Sequence, residues 1–375
     1  MTVSSNTQHE RTILQDWLAA AIPDAGGLTV TALSEAKGGG WSARILFAAI
    51  SYTSAGTAME RRLVVRFLPD YLLFLGTTLE NQWRFCEAMG RHSAIPVPGI
   101  IGVENDTGVL GQAFYVMEQV PGQVASQSPN YNQEGWIVDL PVPERGRLWQ
   151  NALETLAELH RLDWRNGFEF LDQPQYGKPG LDQLLNWLVA WRDWAAKGRA
   201  LPVVDAAVDY LLKERPANPT VSVLWGDPTP SNVLWNDDLS VSGIIDFESV
   251  TLGPPEADLG WWLYMNNLLS EGYRIKRLEG LPSAEESIAI YEKALGRKVS
   301  DMAYYDILAA VRMAIITVRS VDLHISRGHI AADNNSITNN PVAAYIAAKL
   351  GLPIPEIGAD FHAFTANIFP MGDEE

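Results

Sequence analysis

A single cysteine, Cys86, stands in a chain of 375 residues. No intrachain disulfide can form, and a structural zinc site built from several cysteines is excluded. That is the usage of a protein kept in a reducing compartment. Basic residues are also scarce, with 28 Lys and Arg against 45 Asp and Glu and a formal charge of −17. A polyanion of this kind repels nucleic acid and anionic lipid unless its cations cluster. No run of five or more Lys and Arg occurs, and the densest basic group is Arg274, Lys276 and Arg277. Neither nucleic acid nor a membrane is an expected partner. No stretch of 18 apolar residues appears, and the opening MTVSSNTQHERTILQDW has no basic segment followed by an apolar one, so the expectation is a cytoplasmic protein. The six histidines form no HxxxH or HxH pair, against a catalytic zinc, and the Gly-x-Ser-x-Gly of many serine hydrolases is missing.

What is present is ordinary globular composition, 47% hydrophobic and 19% charged, with an unusual 13 Trp. Each Trp buries a large area and brings one N–H that needs a partner, which predicts aromatic-rich packing or a pocket. The length suggests two or three domains. Apolar spacing predicts a helix over Thr12 to Ala21, then strands at Leu28 to Leu33, Ala43 to Tyr52 and Arg62 to Phe67. A helical pattern over Thr78 to Met89 precedes two more strands, Val97 to Val103 and Ala113 to Val120. Residues 1–120 therefore read as a β-rich lobe, a five-stranded antiparallel sheet with one helix after the third strand.

Pro121 to Pro143, with its SQSPNYNQEG run, reads as a linker or mobile loop. Beyond it the pattern turns helical: Glu144 to Leu162, Leu181 to Lys197, Val203 to Leu212, Glu256 to Leu269, Ala284 to Leu295, Met302 to Val321, Val342 to Leu350 and Pro355 to Ile368. A short strand pair, Val221 to Trp225 and Val241 to Ile245, interrupts these helices. Residues 121–375 thus form a larger helical lobe, and the fold class is α+β.

The chemistry concentrates between Val221 and Leu259, VSVLWGDPTPSNVLWNDDLSVSGIIDFESVTLGPPEADL. One apolar strand delivers Asp227 at a proline-rich turn, Asn232 follows five residues later, and a second strand delivers Asp246. Any one of these is more often only a turn residue. Together they bring three oxygen-bearing groups to one end of a hairpin, which suits a hard cation such as Mg²⁺ bound by few side chains plus substrate phosphates. Asp followed five residues on by Asn is the catalytic-loop spacing of phosphoryl transfer.

These residues give the chain a resemblance to the aminoglycoside phosphotransferase and choline kinase family, protein-kinase-like enzymes, and within it to the branch found fused to acyl-CoA dehydrogenases. The family's His-Gly-Asp-x-x-x-x-Asn stands here as Trp225-Gly226-Asp227-Pro228-Thr229-Pro230-Ser231-Asn232, its Asp-Phe-Glu element as Asp246-Phe247-Glu248, and its LGxPxxDL as Leu252 to Leu259. The resemblance implies a bilobal kinase-like fold and an ATP-dependent transfer of phosphate to a small-molecule hydroxyl, with Asp227 as catalytic base and Asn232 and Asp246 as Mg²⁺ ligands. It implies no particular acceptor, though its branch leans toward hydroxylated acyl or other metabolic substrates. One departure stands out, since Trp225 replaces the family's usual His. An indole N–H can donate a similar bond to the loop but cannot accept one.

The glycine turn Gly38, Gly39, Gly40, with Trp41 and Ser42, lies between two strands where bare backbone N–H groups can approach phosphate oxygens. A hairpin turn alone would also use such glycines. By the resemblance, Arg66 occupies the kinase phosphate-binding lysine position, and an Arg there can still bridge phosphate and carboxylate. Its partner would be Glu80, with Glu87 as the alternative on the same helical face. Met117, Glu118 and Val120 would border the adenine at the end of the fifth strand. His160 reads as a cap or core histidine, Cys86 as a buried apolar cysteine, and Glu256 and Asp258 as helix-opening carboxylates, Asp258 also matching a position that supports the catalytic loop. The polar stretch Arg327 to Asn340 is a candidate wall of the acceptor pocket. Two rival readings survive: a nucleotide-binding regulator without transfer activity, prompted by Trp225 and Arg66, and a purely structural helical scaffold.

Overall fold

The computed structural model describes residues 5–36, 43–217 and 219–365. Gly38, Gly39, Gly40, Trp41 and Ser42 lie outside the described residues, so the glycine turn receives no structural account. The chain divides into two compact units, one made of Met1–Leu72 and Thr77–Pro121, the other of Leu73–Gly76 and Gly122–Glu375.

The first unit contains α1 (Ser5–Ala21), β1 (Gly26–Glu35), β2 (Ile45–Ser54), β3 (Thr57–Phe67), α2 (Leu79–His92), β4 (Ile100–Glu104) and β5 (Phe114–Glu118). Its five strands form one antiparallel sheet in the order β1-β2-β3-β5-β4, with α2 inserted after the third strand as the sequence pattern predicts. Ala55 and Gly56, both at positive φ, make the two-residue turn that joins β2 to β3 with matching twist. Alternation puts Leu28 and Val30 of β1, Leu46, Ala48 and Ile50 of β2, Leu63, Val65 and Phe67 of β3, and Phe114 and Val116 of β5 on one face. Leu14 and Leu18 of α1 cover that face. The opposite face of β3 and β5 carries Val64, Arg66 and Tyr115, all buried. There α2, opened by the Thr78 cap on the Asn81 N–H, turns inward Gln82 and Cys86.

The second unit contains α3 (Trp136–Asp139), α4 (Val142–His160), α5 (Leu181–Ala196), α6 (Pro202–Lys213), β6 (Ser222–Leu224), β7 (Val233–Trp235), β8 (Val241–Ile244), β9 (Thr251–Gly253), α7 (Pro255–Leu268), α8 (Ala284–Leu295), α9 (Met302–Ser326), α10 (Pro341–Leu350) and α11 (Ala359–Thr365). Residues 73–76 belong here because the indoles of α5 hold them: Trp191 Nε1 donates to the Leu73 carbonyl at 2.9 Å and Trp187 Nε1 to that of Leu75 at 3.0 Å. The core is aromatic, as 13 Trp suggested. Trp149 packs edge-on against Trp262, and Trp187 stacks on Trp191.

Three expectations are corrected. The strands around residues 221 and 241 are not partners: β6 pairs with β9, and β8 with β7, so two small sheets replace one hairpin. Three-residue strands are too short to show a period of two, and β7 and β9 went unread for that reason. The SQSPNYNQEG segment is packed rather than loose, since Asn130, Tyr131 and Asn132 are buried. Asn130 and Asn132 donate to the Leu269 carbonyl at 2.7 and 3.2 Å, and the Tyr131 hydroxyl to Asn266 Oδ1 at 2.8 Å. Polar composition suggested solvent, but these side chains satisfy backbone groups indoors. The last helix begins at Ala359 rather than Pro355, and Ile368 lies outside the described residues.

Candidate active site

The segment after β6 starts with two residues that only one backbone path allows. Trp225 is buried, and Gly226 takes φ +85°, where a Cβ would stand 2.1 Å from the Ser249 carbonyl oxygen. Glycine alone fits that position. Asp258, one turn into α7 and fully buried, accepts from the Trp225 N–H at 2.7 Å and the Gly226 N–H at 3.1 Å. A carboxylate aimed at two consecutive amides locks the entry to the turn. Asp258 is itself held by His160 at the end of α4, whose Nε2 lies 3.2 Å from Asp258 Oδ2 while Nδ1 meets the Tyr291 hydroxyl. His160 is therefore a core histidine with a defined task, orienting the carboxylate that shapes the loop. Glu256, the other helix-opening carboxylate, pairs with Arg297 at 2.6 Å.

Asp227 follows, half-buried, with both carboxylate oxygens engaged. Trp261 Nε1 of α7 donates to Oδ1 at 2.7 Å, and Asn232 Nδ2 donates to Oδ2 at 2.9 Å and to the Asp227 carbonyl at 3.0 Å. The three residues Pro230–Asn232 form a single 3₁₀ turn, which brings Asn232 back over Asp227. Burial pushes the Asp227 carboxyl up to about 6, and the Asp246 charge adds to this; the Trp261 bond, Arg312 and the Asn232 bond oppose it.

Asp246 reaches the same place from the β7–β8 ladder. Val233 pairs with Ile244, and the Ile245 N–H donates to the Asn232 carbonyl at 3.0 Å, tying the two loops residue to residue. Asp246 itself adopts φ +65°, an uncommon conformation that Asp tolerates better than most side chains. The Trp225 indole settles what replaces the usual histidine: Nε1 donates to the Ile245 carbonyl at 2.9 Å and the Asp246 carbonyl at 3.3 Å. It bridges the two loops as a donor, the one role an indole can fill.

Sequence reasoning did not single out Trp261 or Arg312. Arg312 sits in the middle of α9, buried, donating to the Gly226 carbonyl and stacking its guanidinium 4.5 Å from the Trp261 ring centre. Burial lowers its pKa, while the Asp258 and Asp227 charges oppose the drop. The signal was legible, a lone cation inside the apolar run ILAAVRMAIITV. An Arg at such a place requires buried acceptors, but nothing local says which.

In the first unit, Arg66 lies on β3 opposite Tyr115 of β5 and is buried. Its charge is felt by Cys86, whose thiol burial pushes up to about 12 while Arg66 pulls it down. Cys86 is thus inert as a nucleophile. Glu80 is exposed and its carboxylate accepts from Arg84 at 3.0 Å; Glu87 accepts from Arg91 at 3.1 Å. At the end of β5, the Glu118 N–H is committed to the Gly99 carbonyl at 2.8 Å, its carboxylate to Arg61, and the Gln119 N–H to the Arg62 carbonyl at 2.9 Å. Met117 is half-buried beside them, as is Val120.

Part of the polar stretch 327–340 does line a cavity. Ile337 to Asn340 face Leu201 to Val204 and Ala314 around about 370 Å³, mostly apolar. Among the described residues, no group of three or more His, Cys, Asp and Glu is arranged to hold a metal, and no helix is long and apolar enough to cross a membrane.

Known proteins are similar to this chain. The profile of the phosphotransferase enzyme family matches residues 39–293. A probable acyl-CoA dehydrogenase, IBR3, of Arabidopsis thaliana is 26% identical over 264 residues, covering 65% of this chain but only 30% of the plant protein. The chain thus spans about a third of that relative's length. Among solved structures, a candidate aminoglycoside phosphotransferase of Ralstonia eutropha JMP134 superposes with a TM-score of 0.64 at 21% identity, covering 91% of this chain and 98% of that one. A thermostable aminoglycoside phosphotransferase solved as a ternary complex with ADP and hygromycin B gives 0.54 at 13% identity, covering 95% and 99%. At these identities the likeness shows a shared fold, the α+β protein-kinase-like fold of these phosphotransferases.

Proposed function

The chain belongs to the phosphotransferase enzyme family, and on that premise we propose that it transfers the γ-phosphoryl group of ATP to a hydroxyl of a small molecule. The observation that carries the reading is the Asp227 carboxylate, held on one side by Trp261 and on the other by Asn232, with its proton affinity raised to about 6. A base with a pKa near 6 is ionised at neutral pH yet far better at taking a proton than an ordinary aspartate. Asp227 would accept the acceptor's hydroxyl proton. The two donors fix the carboxylate plane, so that the reacting oxygen meets a positioned base rather than a rotating one.

The donor set fits Mg²⁺. Asp246 is close enough to raise the proton affinity of Asp227, and the Asn232 amide N–H groups point at Asp227, which leaves the Asn232 side-chain oxygen as a hard acceptor. One or two protein oxygens plus substrate phosphates is how Mg²⁺ is ordinarily held. Asn232 and Asp246 would hold the ion, which supplies neutralisation of the charge developing on the phosphoryl oxygens. Arg66 would add a fixed positive charge for the phosphates, with the turn Gly38, Gly39, Gly40 and Ser42 offering backbone N–H groups. Glu80 and Glu87 both remain proposals as the carboxylate partner of Arg66. With the Glu118 N–H committed to Gly99, the edge offered to an adenine falls to the Glu118 carbonyl and the Val120 N–H, with Met117 behind.

The test is a Mg-ATP titration followed by ADP release across a panel of aminoglycosides, macrolides, small alcohols and hydroxyacyl-CoA thioesters. Acceptor-dependent ADP release is expected with at least one class, and ATP in place of GTP should be preferred. Saturable nucleotide binding with no release on any acceptor would instead favour a regulator; no binding at all would overturn the reading.

A further inference from the structure

The C-terminus of α9 ends in a turn that brings two imidazoles together. His329 N–H donates to the His324 carbonyl and Gly328 N–H to the Ile325 carbonyl, each at 2.9 Å, with Gly328 at φ +70°. This is the paired 6→1 and 5→2 pattern in which a left-handed glycine closes a helix. In that motif the first and last residues ordinarily meet through apolar side chains. Here both are histidines, and their Nδ1 atoms stand 3.3 Å apart.

We propose that His324 and His329 form a binding site for a divalent transition-metal cation of the zinc, nickel or copper class, each ligating through Nδ1. Two nitrogens bound at about 2.0–2.1 Å to a tetrahedral metal lie roughly 3.3–3.4 Å apart, the separation found here. Without an ion the same pair can share an N–H···N bond, one ring donating and the other accepting, and a metal would displace that single proton. The backbone fixes this spacing before any ion arrives: the turn sets both Cα positions, and the His324 ring is braced edge-on at 5.4 Å against Phe364 of α11. The helix C-terminus adds the negative end of its dipole, which favours a cation. His324 is half-buried and His329 exposed, so the site opens to solvent. No third His, Cys, Asp or Glu joins the pair among the described residues, so water or an incoming group completes the coordination. Imidazole pairs select this metal class over Mg²⁺ and Ca²⁺, which prefer oxygen.

The site is independent of the phosphotransfer reading, and its test is arranged to stay so. Zn²⁺ is titrated calorimetrically into the full chain at pH 7.5 in excess Mg²⁺, which occupies the carboxylate loops. One saturable site is expected in the wild type, weakened at least tenfold in both H324A and H329A. Gly328→Val keeps both imidazoles but disturbs the left-handed turn, and it should weaken Zn²⁺ comparably with the far-ultraviolet circular dichroism unchanged. Absence of saturable Zn²⁺ binding in the wild type, or wild-type affinity in either histidine variant, overturns the assignment; wild-type affinity in Gly328→Val overturns the claim that the turn builds it.

Discussion

The loops after β6 and β8 and the inner sheet strands β3 and β5 place their polar side chains by opposite means. Asp227, Asn232 and Asp246 stand on turns with little ladder around them, so each is fixed by bonds from afar: Asp258 and Trp261 from α7, Arg312 from α9, the Trp225 indole across the loops. Arg66 takes its place from its strand. Its backbone is locked between β2 and β5, opposite Ile45 and Tyr115, and strand alternation alone decides its face. A loop site therefore depends on several distant residues at once, whereas a strand site depends on register and tolerates a change of side chain more readily.

The sharpest way to break this contrast is Asp227→Asn. Transfer should fall about 10²–10⁴-fold with ATP affinity, read by calorimetry, nearly unchanged. Substantial residual turnover would remove Asp227 from the chemistry. The same residue sets a pH profile: kcat/KM should fall as pH drops through about 6, because the protonated acid cannot accept a proton. Stability runs the other way. The folded state holds this proton more tightly than the unfolded one, so the contribution of Asp227 is present below pH ~4 and lost as pH rises through about 6. Asp227→Asn should thus melt no lower than wild type at pH 7.5 and lose any advantage near pH 4, in paired thermal scans.

Next in size is Asp258→Ala, which strips two backbone amides and His160 of their acceptor in a buried place. A loss of about 3–5 kcal/mol in urea unfolding is expected, with activity lost as well. A fully active, equally stable variant would mean the loop holds itself. On the sheet side, Arg66→Ala should raise the KM for ATP roughly 10–100-fold while leaving the melting temperature within a few degrees, and Arg66→Lys should recover most of it. If Arg66→Ala instead unfolds the unit, its task is structural. The smallest effect belongs to Trp225. Trp225→Phe loses the bond to the Ile245 carbonyl and should cost about 1 kcal/mol, measured by chemical denaturation, whereas Trp225→His restores a donor.

Much of this was legible in the residues. The alternation of LVVRF and FYVME, the Thr78 cap and the Gly56 turn fix the five-stranded sheet locally, and the Asp-x-x-x-x-Asn spacing with IIDFE marks the loops. What failed to show was everything carried by contacts distant in sequence. Strands of three residues have no readable period, so the pairing of β6 with β9 and β7 with β8 emerged only in the fold. The buried asparagines of 130–132 looked like loop residues because their acceptor, the Leu269 carbonyl, is more than 130 residues away.

By itself, then, the sequence determined the class of structure and picked out the proposed oxygen donors, because periodicity and turn chemistry are local properties. Tertiary structure alone decided which groups hold those donors in place: a tryptophan and an arginine from two helices around Asp227, an indole where a histidine was expected, and two histidines joined by a helix-closing glycine. A hydrogen bond joins atoms near in space, and nothing in the local pattern of a helix records what lies across from it.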